Sequence, residues 1–427
     1  RRGVKMAENE RNDANKGETG GKGKKKLRIL LRTFGCQMNV RDSEVICGLL
    51  KTENWQLTTN PHEADVIIFN TCSVRQHAED KVWSEIGRFK KKGQSPLGTV
   101  FKGKETLGTV SFSKHSRALT GTVPFIGLVG CMAQNYKEKV FERAPQVDFV
   151  VGPGDLHKIP EIIKKFSERG LFEQKIWETD GNVRPDDIYH TGFHQDKDHS
   201  YVVISEGCSN LCSYCVVPYV RGPLRNRNYK DIIKEVEEAV DNGRTEITLL
   251  GQNVNAYEYD GVNFVKLVES IDSIKGIKEF SFITSHPKDT SFDLFKAMQE
   301  LGKLKKYLHL PIQSGSDRIL KLMNRRYSRK FYLDLVQNFR KIVKDGVLTT
   351  DIIVGFPTET EDDFAGTYNL VKDVQFTAAY IFKYSPRPHT EAEKLADDVD
   401  KKAKEARHKG ILDLQKRISN KKKCLKR

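Results

Sequence analysis

No stretch of this chain approaches the roughly 18 consecutive apolar residues that a membrane-crossing helix needs. The first 26 residues are polar, charged and Gly-rich, with none of the apolar core of a secretory signal. Cysteine is too sparse for a disulfide scaffold: there are eight in 427 residues, whereas such scaffolds are short and cysteine-dense. These absences point away from a membrane and towards reduced thiols in a cytoplasmic setting, where clustered thiols bind metal or do redox work. What is present is an ordinary globular composition, 38% hydrophobic and 9% aromatic. At this length it supports two or three domains, each with its own core. The formal charge is +15, and it is concentrated. Residues 401–427 hold twelve Lys or Arg against Glu405 and Asp413, and Lys22, Lys24, Lys25 and Lys26 form a second run. A solvated helix face with frayed ends and contact with a nucleic acid are both open for such a tail.

Residues 1–26 read as a disordered leader. From Leu27 to residue 174 short apolar runs alternate with helical segments. LRILLRTFGC (27–36), ADVIIFNTC (64–72) and FIGLVGC (125–131) each read as a strand ending in a turn, with helices at Asp42–Leu50 and Ala78–Lys91. Buried strands alternating with helices imply an open parallel α/β sheet. A Gly/Thr/Ser-rich insert, 94–123, interrupts that domain. Residues 175–198 are polar and read as a linker. A second series follows over 199–400, with strands expected at 201–207, 246–252, 279–285, 307–312, 349–356 and 378–385. Six βα units in one domain imply a partial (βα)6 barrel of TIM type.

The strongest chemical signal is Cys208-x3-Cys212-x2-Cys215. Three thiolates within eight residues can hold three irons of a [4Fe–4S] cubane, on a loop at the C-terminal end of the first barrel strand, where barrel active sites sit. A structural zinc site needs a fourth ligand close by. A cluster with one open iron can instead bind the amino and carboxylate groups of S-adenosylmethionine. A zinc knuckle or plain buried thiols is the blander reading. Cys36, Cys72 and Cys131 each lie just past an expected strand, so parallel packing can bring them to one carboxyl edge of the sheet. Three lone cysteines are more often inert.

The segment GCSNLCSYCVVPYVRG (207–222) resembles the signature of the methylthiotransferase family of radical S-adenosylmethionine enzymes. The resemblance continues through LLGQNVNAY (249–257), TSHPKD (284–289), HLPIQSGSDRILKLMNRRY (309–327), DIIVGFPTETEDDF (351–364) and YSPRP (384–388). It runs from about Leu27 to Lys416 and is most similar to the branch that methylthiolates C2 of N6-isopentenyladenosine beside the tRNA anticodon. It implies a second, auxiliary [4Fe–4S] cluster on Cys36, Cys72 and Cys131, where sulfur is delivered. It also implies two S-adenosylmethionine molecules, one giving the methyl group and one the 5′-deoxyadenosyl radical. Adenine C2–H is unactivated, so cofactor-derived radical chemistry is what its replacement requires. The implied partners are a tRNA anticodon loop and an electron donor of flavodoxin or ferredoxin type, with the chain acting as a monomer; the sulfur donor is left unnamed. Sister branches act on threonylcarbamoyladenosine in tRNA or on a ribosomal-protein aspartate. A non-catalytic iron–sulfur or zinc RNA-binding protein is the reading from another class.

Candidate cofactor contacts follow from position. Tyr214 lies between two of the cysteines. Gln252 and Asn253 end the second barrel strand, Gln313 and Ser314 follow the fourth, and Asp351 and Gly355 belong to the fifth. A turn or cap role is equally open for each. Arg221 and Arg225 carry planar guanidinium groups suited to a phosphate or cofactor carboxylate. Cys47, in an expected helix, and Cys424, in the basic tail, read as ordinary thiols. Three positions depart from the family pattern: Leu224 where a Glu is usual, Asn226-Arg227 for Ser-Arg, and His389-Thr390 for Gly-Thr. The family also carries a C-terminal TRAM β-barrel that grips RNA. The sequence stops at Arg427, where that module is expected to begin, with the basic tail as the approach to it.

Overall fold

The computed structural model describes residues 26–73, 76–89, 124–169, 175–181 and 184–425. The insert at 94–123 and the leader up to residue 25 lie outside the described residues.

The N-terminal half is built on a six-stranded sheet: β1 (Arg28–Phe34), β2 (Gln56–Leu57), β3 (Val66–Thr71), β4 (Phe125–Gly130), β5 (Phe149–Val151) and β6 (Ile176–Glu178). All neighbours are parallel, in the order β2-β1-β3-β4-β5-β6. β3 is buried along its whole length, as a central strand covered on both faces must be. Ile29, Val66 and Ile68 pack against Val45, Ile46 and Leu50 of the first helix on one face. Ile67 and Phe69 pack against Val82 and Ile86 on the other. Each such side chain contributes about 1.5–3 kcal/mol by leaving water.

The stretch 175–198, expected to be a linker, supplies the edge strand β6. It then turns through Asp186–His190, where Ile188 and Tyr189 are buried. Its polar composition hides this because its few apolar residues are spaced too irregularly to show a period.

The second half begins with β7 (His199–Val203). The short strands β8 (Ser205–Glu206) and β9 (Arg225–Asn226) pair antiparallel to each other around the cysteine loop. β10 (Glu246–Leu250) is followed by the hairpin β11 (Glu258–Tyr259) and β12 (Val262–Asn263), then β13 (Glu279–Phe282), β14 (Tyr307–His309), β15 (Val347–Val354) and β16 (Ala378–Lys383). β7, β10 and β13 form one parallel sheet and β14, β15 and β16 another. A parallel bridge from Phe280 to Leu304 joins the halves into a curved run of six strands. Alternation along the strands decides what lies where. Val202, Leu249, Phe282, Leu308 and Ile352 point outwards into the helix-covered core. Thr248, Ser281, His309 and Asp351 take the opposite face and hydrogen-bond across strands.

The basic tail forms the helix Lys401–Leu425, which packs on β16 and on the helix Glu361–Val374. Ile411, Leu414 and Ile418 enter the barrel core at helical spacing. Several of its cations are committed within the chain: Lys404 to Asp397, Arg407 to Glu359 and Glu361, Lys416 to Asp413, and Arg417 to the Tyr368 hydroxyl. Most of this charge run is therefore a helix packed on the barrel.

Candidate functional site

β1, β3 and β4 are adjacent and in register, with Phe34 opposite Thr71 and Thr71 opposite Gly130. The chain therefore leaves one sheet edge at three neighbouring points, strands about 4.8 Å apart, and Cys36, Cys72 and Cys131 are the residues it places there. Gly35 has φ +129°, and a Cβ on it would stand 2.2 Å from Cys72 Cβ. Only glycine lets the two loops meet this closely. Cys36 is the N-cap of the helix Gln37–Thr52, where the helix dipole favours a thiolate. Its thiol is lowered to about 6, chiefly by a hydrogen bond with Cys72; burial opposes this and Arg221 assists. Burial pushes the Cys131 thiol up despite Arg221 beside it. Two asparagines lock the loops together. Asn39 Nδ2 donates to Asn70 Oδ1 at 3.0 Å, and Asn70 Nδ2 donates to Asn39 O at 2.8 Å. Cys47 is buried in the helix, its thiol pushed up to about 12 by burial, and it faces the apolar core rather than this edge.

The other cysteine loop is held from below by the barrel. Ser213 N donates to Met323 O at 3.1 Å, Ser213 Oγ donates to Leu322 O at 2.7 Å, and Asn324 Nδ2 donates to Leu211 O at 2.8 Å. Arg325 is the central cation. Its Nη1 lies 3.4 Å from Cys212 Sγ and 3.4 Å from the Tyr214 hydroxyl, and its Nη2 donates to Pro311 O at 2.9 Å. Burial raises the Cys208 thiol and pushes the Cys215 thiol up to about 12. Lys288 Nζ donates to Asn210 Oδ1 at 2.8 Å, tying the loop to the turn Pro287–Asp289 that follows β13.

The two loops face each other across the junction of the halves. Val216 and Val220, just past Cys215, pack against Cys131. Arg221 Nε donates to Cys131 Sγ at 3.2 Å and Nη2 to Asp42 Oδ2 at 2.6 Å. Arg184 Nη1 also reaches Asp42, at 2.7 Å, and Glu206, at 3.1 Å. On the far side, Arg387 of YSPRP donates to Gln76 Oε1 at 2.9 Å, on the helix that follows the Cys72 loop. Arg221 was expected to meet a phosphate or cofactor carboxylate. It is instead buried in this network, because Asp42 on the first helix claims it. Arg225 donates to the carbonyls of Arg221 and Pro223 and lies 3.5 Å from Glu206.

The candidate cofactor contacts separate into two groups. Gln252 Oε1, Asn253 Oδ1 and Gln313 Oε1 are buried without a hydrogen-bond partner, as are Ser285 Oγ and His286 Nε2. All five lie just past the C-terminal ends of β10, β13 and β14. An unmet buried polar atom costs about 1–3 kcal/mol, so these groups at the strand ends are suited to a polar ligand. Burial, with Arg325 and Lys288 adding to it, lowers His286 to about 2, which keeps it neutral. Ser314, Gly355 and Asp351 have other partners. Ser314 Oγ contacts Thr367 Oγ1 at 3.3 Å and accepts from Ser316 N in a buried turn. Gly355 makes room for Lys404, whose Cγ would lie 2.4 Å from an added Cβ. Asp351 pairs with His309 at 3.3 Å on the inner face of the barrel. Tyr214 packs with Phe356 and Tyr384 and offers its hydroxyl to Arg325. Among the described residues no three His, Cys, Asp or Glu side chains converge on a single metal ion. A cubane spreads its thiolates over separate corner irons and requires no such convergence.

Residues 28–152 match the model of Uncharacterized protein family UPF0004, and residues 202–371 that of the Radical SAM superfamily. Along 401 residues the chain is 39% identical to the tRNA-2-methylthio-N6-dimethylallyladenosine synthase of Clostridium perfringens, covering 91% of this chain and 82% of that one. The chain belongs to this synthase family. The Thermodesulfovibrio yellowstonii synthase is 39% identical over 394 residues, covering 92% of this chain and 84% of its own. The solved radical S-adenosylmethionine methyltransferase TsrM of Kitasatospora setae shares the fold at a TM-score of 0.56, with 11% identity, over 86% of this chain and 77% of that one. A radical SAM synthase of this family takes a [4Fe–4S] cluster and S-adenosylmethionine. No helix among the described residues is long and apolar enough to cross a membrane.

Several residues of the synthase site carried no individual signal in the sequence. Asn39 and Asn70 lie beside cysteine motifs, where an amide is a clue, and Arg325 lies within the HLPIQSGSDRILKLMNRRY motif far from any cysteine. Asp42 and Arg184 offered none, since an ion pair spanning 142 residues leaves no local pattern.

Proposed function

We propose that this chain is a radical S-adenosylmethionine methylthiotransferase that replaces C2–H of N6-isopentenyladenosine, next to the tRNA anticodon, with a methylthio group. The observation that carries the reading is the pairing of two cysteine triads on facing loops, Cys208, Cys212 and Cys215 against Cys36, Cys72 and Cys131, in a chain of this synthase family. When bound, a [4Fe–4S] cluster on the first triad with S-adenosylmethionine supplies the 5′-deoxyadenosyl radical, and a second [4Fe–4S] cluster on the other triad holds the sulfur.

The protein's own groups do the positioning. Gln252, Asn253 and Gln313, whose buried amide oxygens have no partner among the described residues, would hold the polar groups of S-adenosylmethionine. Tyr214 and Asp351 border that space, and Ser314 and Gly355 shape the loops around it. Arg325 holds the Cys212 thiolate in place. His286 stays neutral and so would add no further positive charge to the site of a cationic cofactor. A target base in an anticodon loop is already unstacked and can be turned outward into the junction. In this reading the enzyme works as a cytoplasmic monomer and takes electrons from a small flavodoxin or ferredoxin.

The test is mass spectrometry of tRNA nucleosides from a synthase-null strain complemented with this chain. Appearance of 2-methylthio-N6-isopentenyladenosine is the expected result. Persistence of isopentenyladenosine alone, with the chain expressed and iron-loaded, overturns the reading.

A further inference from the structure

By sequence Arg221 belongs to the barrel's cysteine loop, yet its guanidinium enters the N-terminal domain. Nε donates to Cys131 Sγ at 3.2 Å. Nη2 is fixed on Asp42 Oδ2 at 2.6 Å, and Asp42 is in turn held by Arg184. The group is only 7% exposed, so solvent does not screen it. A planar, permanently charged donor on a rigid anchor is suited to hold one N–H on one sulfur. A charge-assisted hydrogen bond to a cluster thiolate stabilises the reduced, more negative cluster. From these contacts, and resting on the two-cluster reading above, we propose that Arg221 is a positioning residue for the auxiliary centre: reaching across from the radical-generating domain, it hydrogen-bonds the Cys131 thiolate and raises the reduction potential of the cluster held there.

The experiment isolates the auxiliary cluster. A Cys208→Ala, Cys212→Ala, Cys215→Ala chain, reconstituted anaerobically with iron and sulfide, is expected to bind about four irons. Its midpoint potential is measured by an EPR-monitored redox titration, with Arg221→Gln and Arg221→Lys introduced in turn. The expected result is a lower potential in both variants, further down for Gln than for Lys, at unchanged iron content and far-UV circular dichroism. Lys keeps the charge beside Asp42, so it serves as the folded comparison if Gln does not assemble. An unchanged potential in an iron-loaded Lys or Gln variant overturns the proposal and leaves the two-cluster reading standing. A triple-alanine chain that folds but binds no iron overturns the two-cluster reading, and this proposal with it.

Discussion

Arg41, fully buried on the first helix of the N-terminal domain, donates from Nη2 to Glu235 Oε1 on the barrel helix Tyr229–Asp241 at 2.9 Å. The same Nη2 reaches Tyr189 O at 2.8 Å, and Glu235 also receives Arg227. The domains are thus joined by ion pairs from which water is excluded. Removing one partner strands the other, and such a change costs about 3–5 kcal/mol. Arg41→Ala is expected to lower stability by that amount in urea unfolding. A loss under ~1 kcal/mol, the range of an exposed pair, would show that the junction opens to water in solution.

The two triads should fail differently. Cys212→Ala should abolish 5′-deoxyadenosine formation. Cys72→Ala should leave formation largely intact while methylthiolated tRNA disappears, and each variant should retain about four of about eight irons. Chromatography of the nucleosides and iron analysis read both outcomes. Methylthiolation by the Cys72 variant would refute the auxiliary-cluster assignment.

Arg325 touches the Cys212 sulfur, the Tyr214 hydroxyl and Pro311 O at once. Replacing a group that orients a metal ligand typically costs 10–100-fold. Arg325→Gln should reduce S-adenosylmethionine cleavage by about that factor, with iron on the second triad retained. Cleavage at the unsubstituted rate would reduce Arg325 to a structural role.

His286 gives a pH signature. Folded, it stays neutral down to about 2; unfolded, it takes a proton near 6.5. The unfolded state therefore binds the extra proton, so the stability contribution is fully present above pH 6.5 and is lost progressively as the pH falls below it. His286→Gln should flatten the acid limb of a stability–pH curve just under pH 6.5 and leave the neutral region nearly parallel. Superimposable limbs for the two proteins would show that the imidazole is solvated.

How much of this was legible depended on range. β1, β3 and β4 and the cysteines that follow them were readable because an apolar run and a terminating turn are local signals. The barrel strands were readable for the same reason. The edge strand β6 was not, because three residues with exposed Trp177 carry no period. The first helix starts at Gln37, ahead of the expected Asp42, because the Cys36 N-cap has no typical capping side chain.

By itself the sequence determined which residue types bear the chemistry. Three cysteines within eight residues are a local ligand set, and the family motifs around them are contiguous. Only the tertiary structure decided what those residues touch. Register brought Cys36, Cys72 and Cys131 to one edge, since parallel strands in step end in step. Burial decided the arginines: Arg221 went to Asp42 and Cys131 because a guanidinium that leaves water must find a carboxylate or another acceptor, and the nearest ones lay in the other domain.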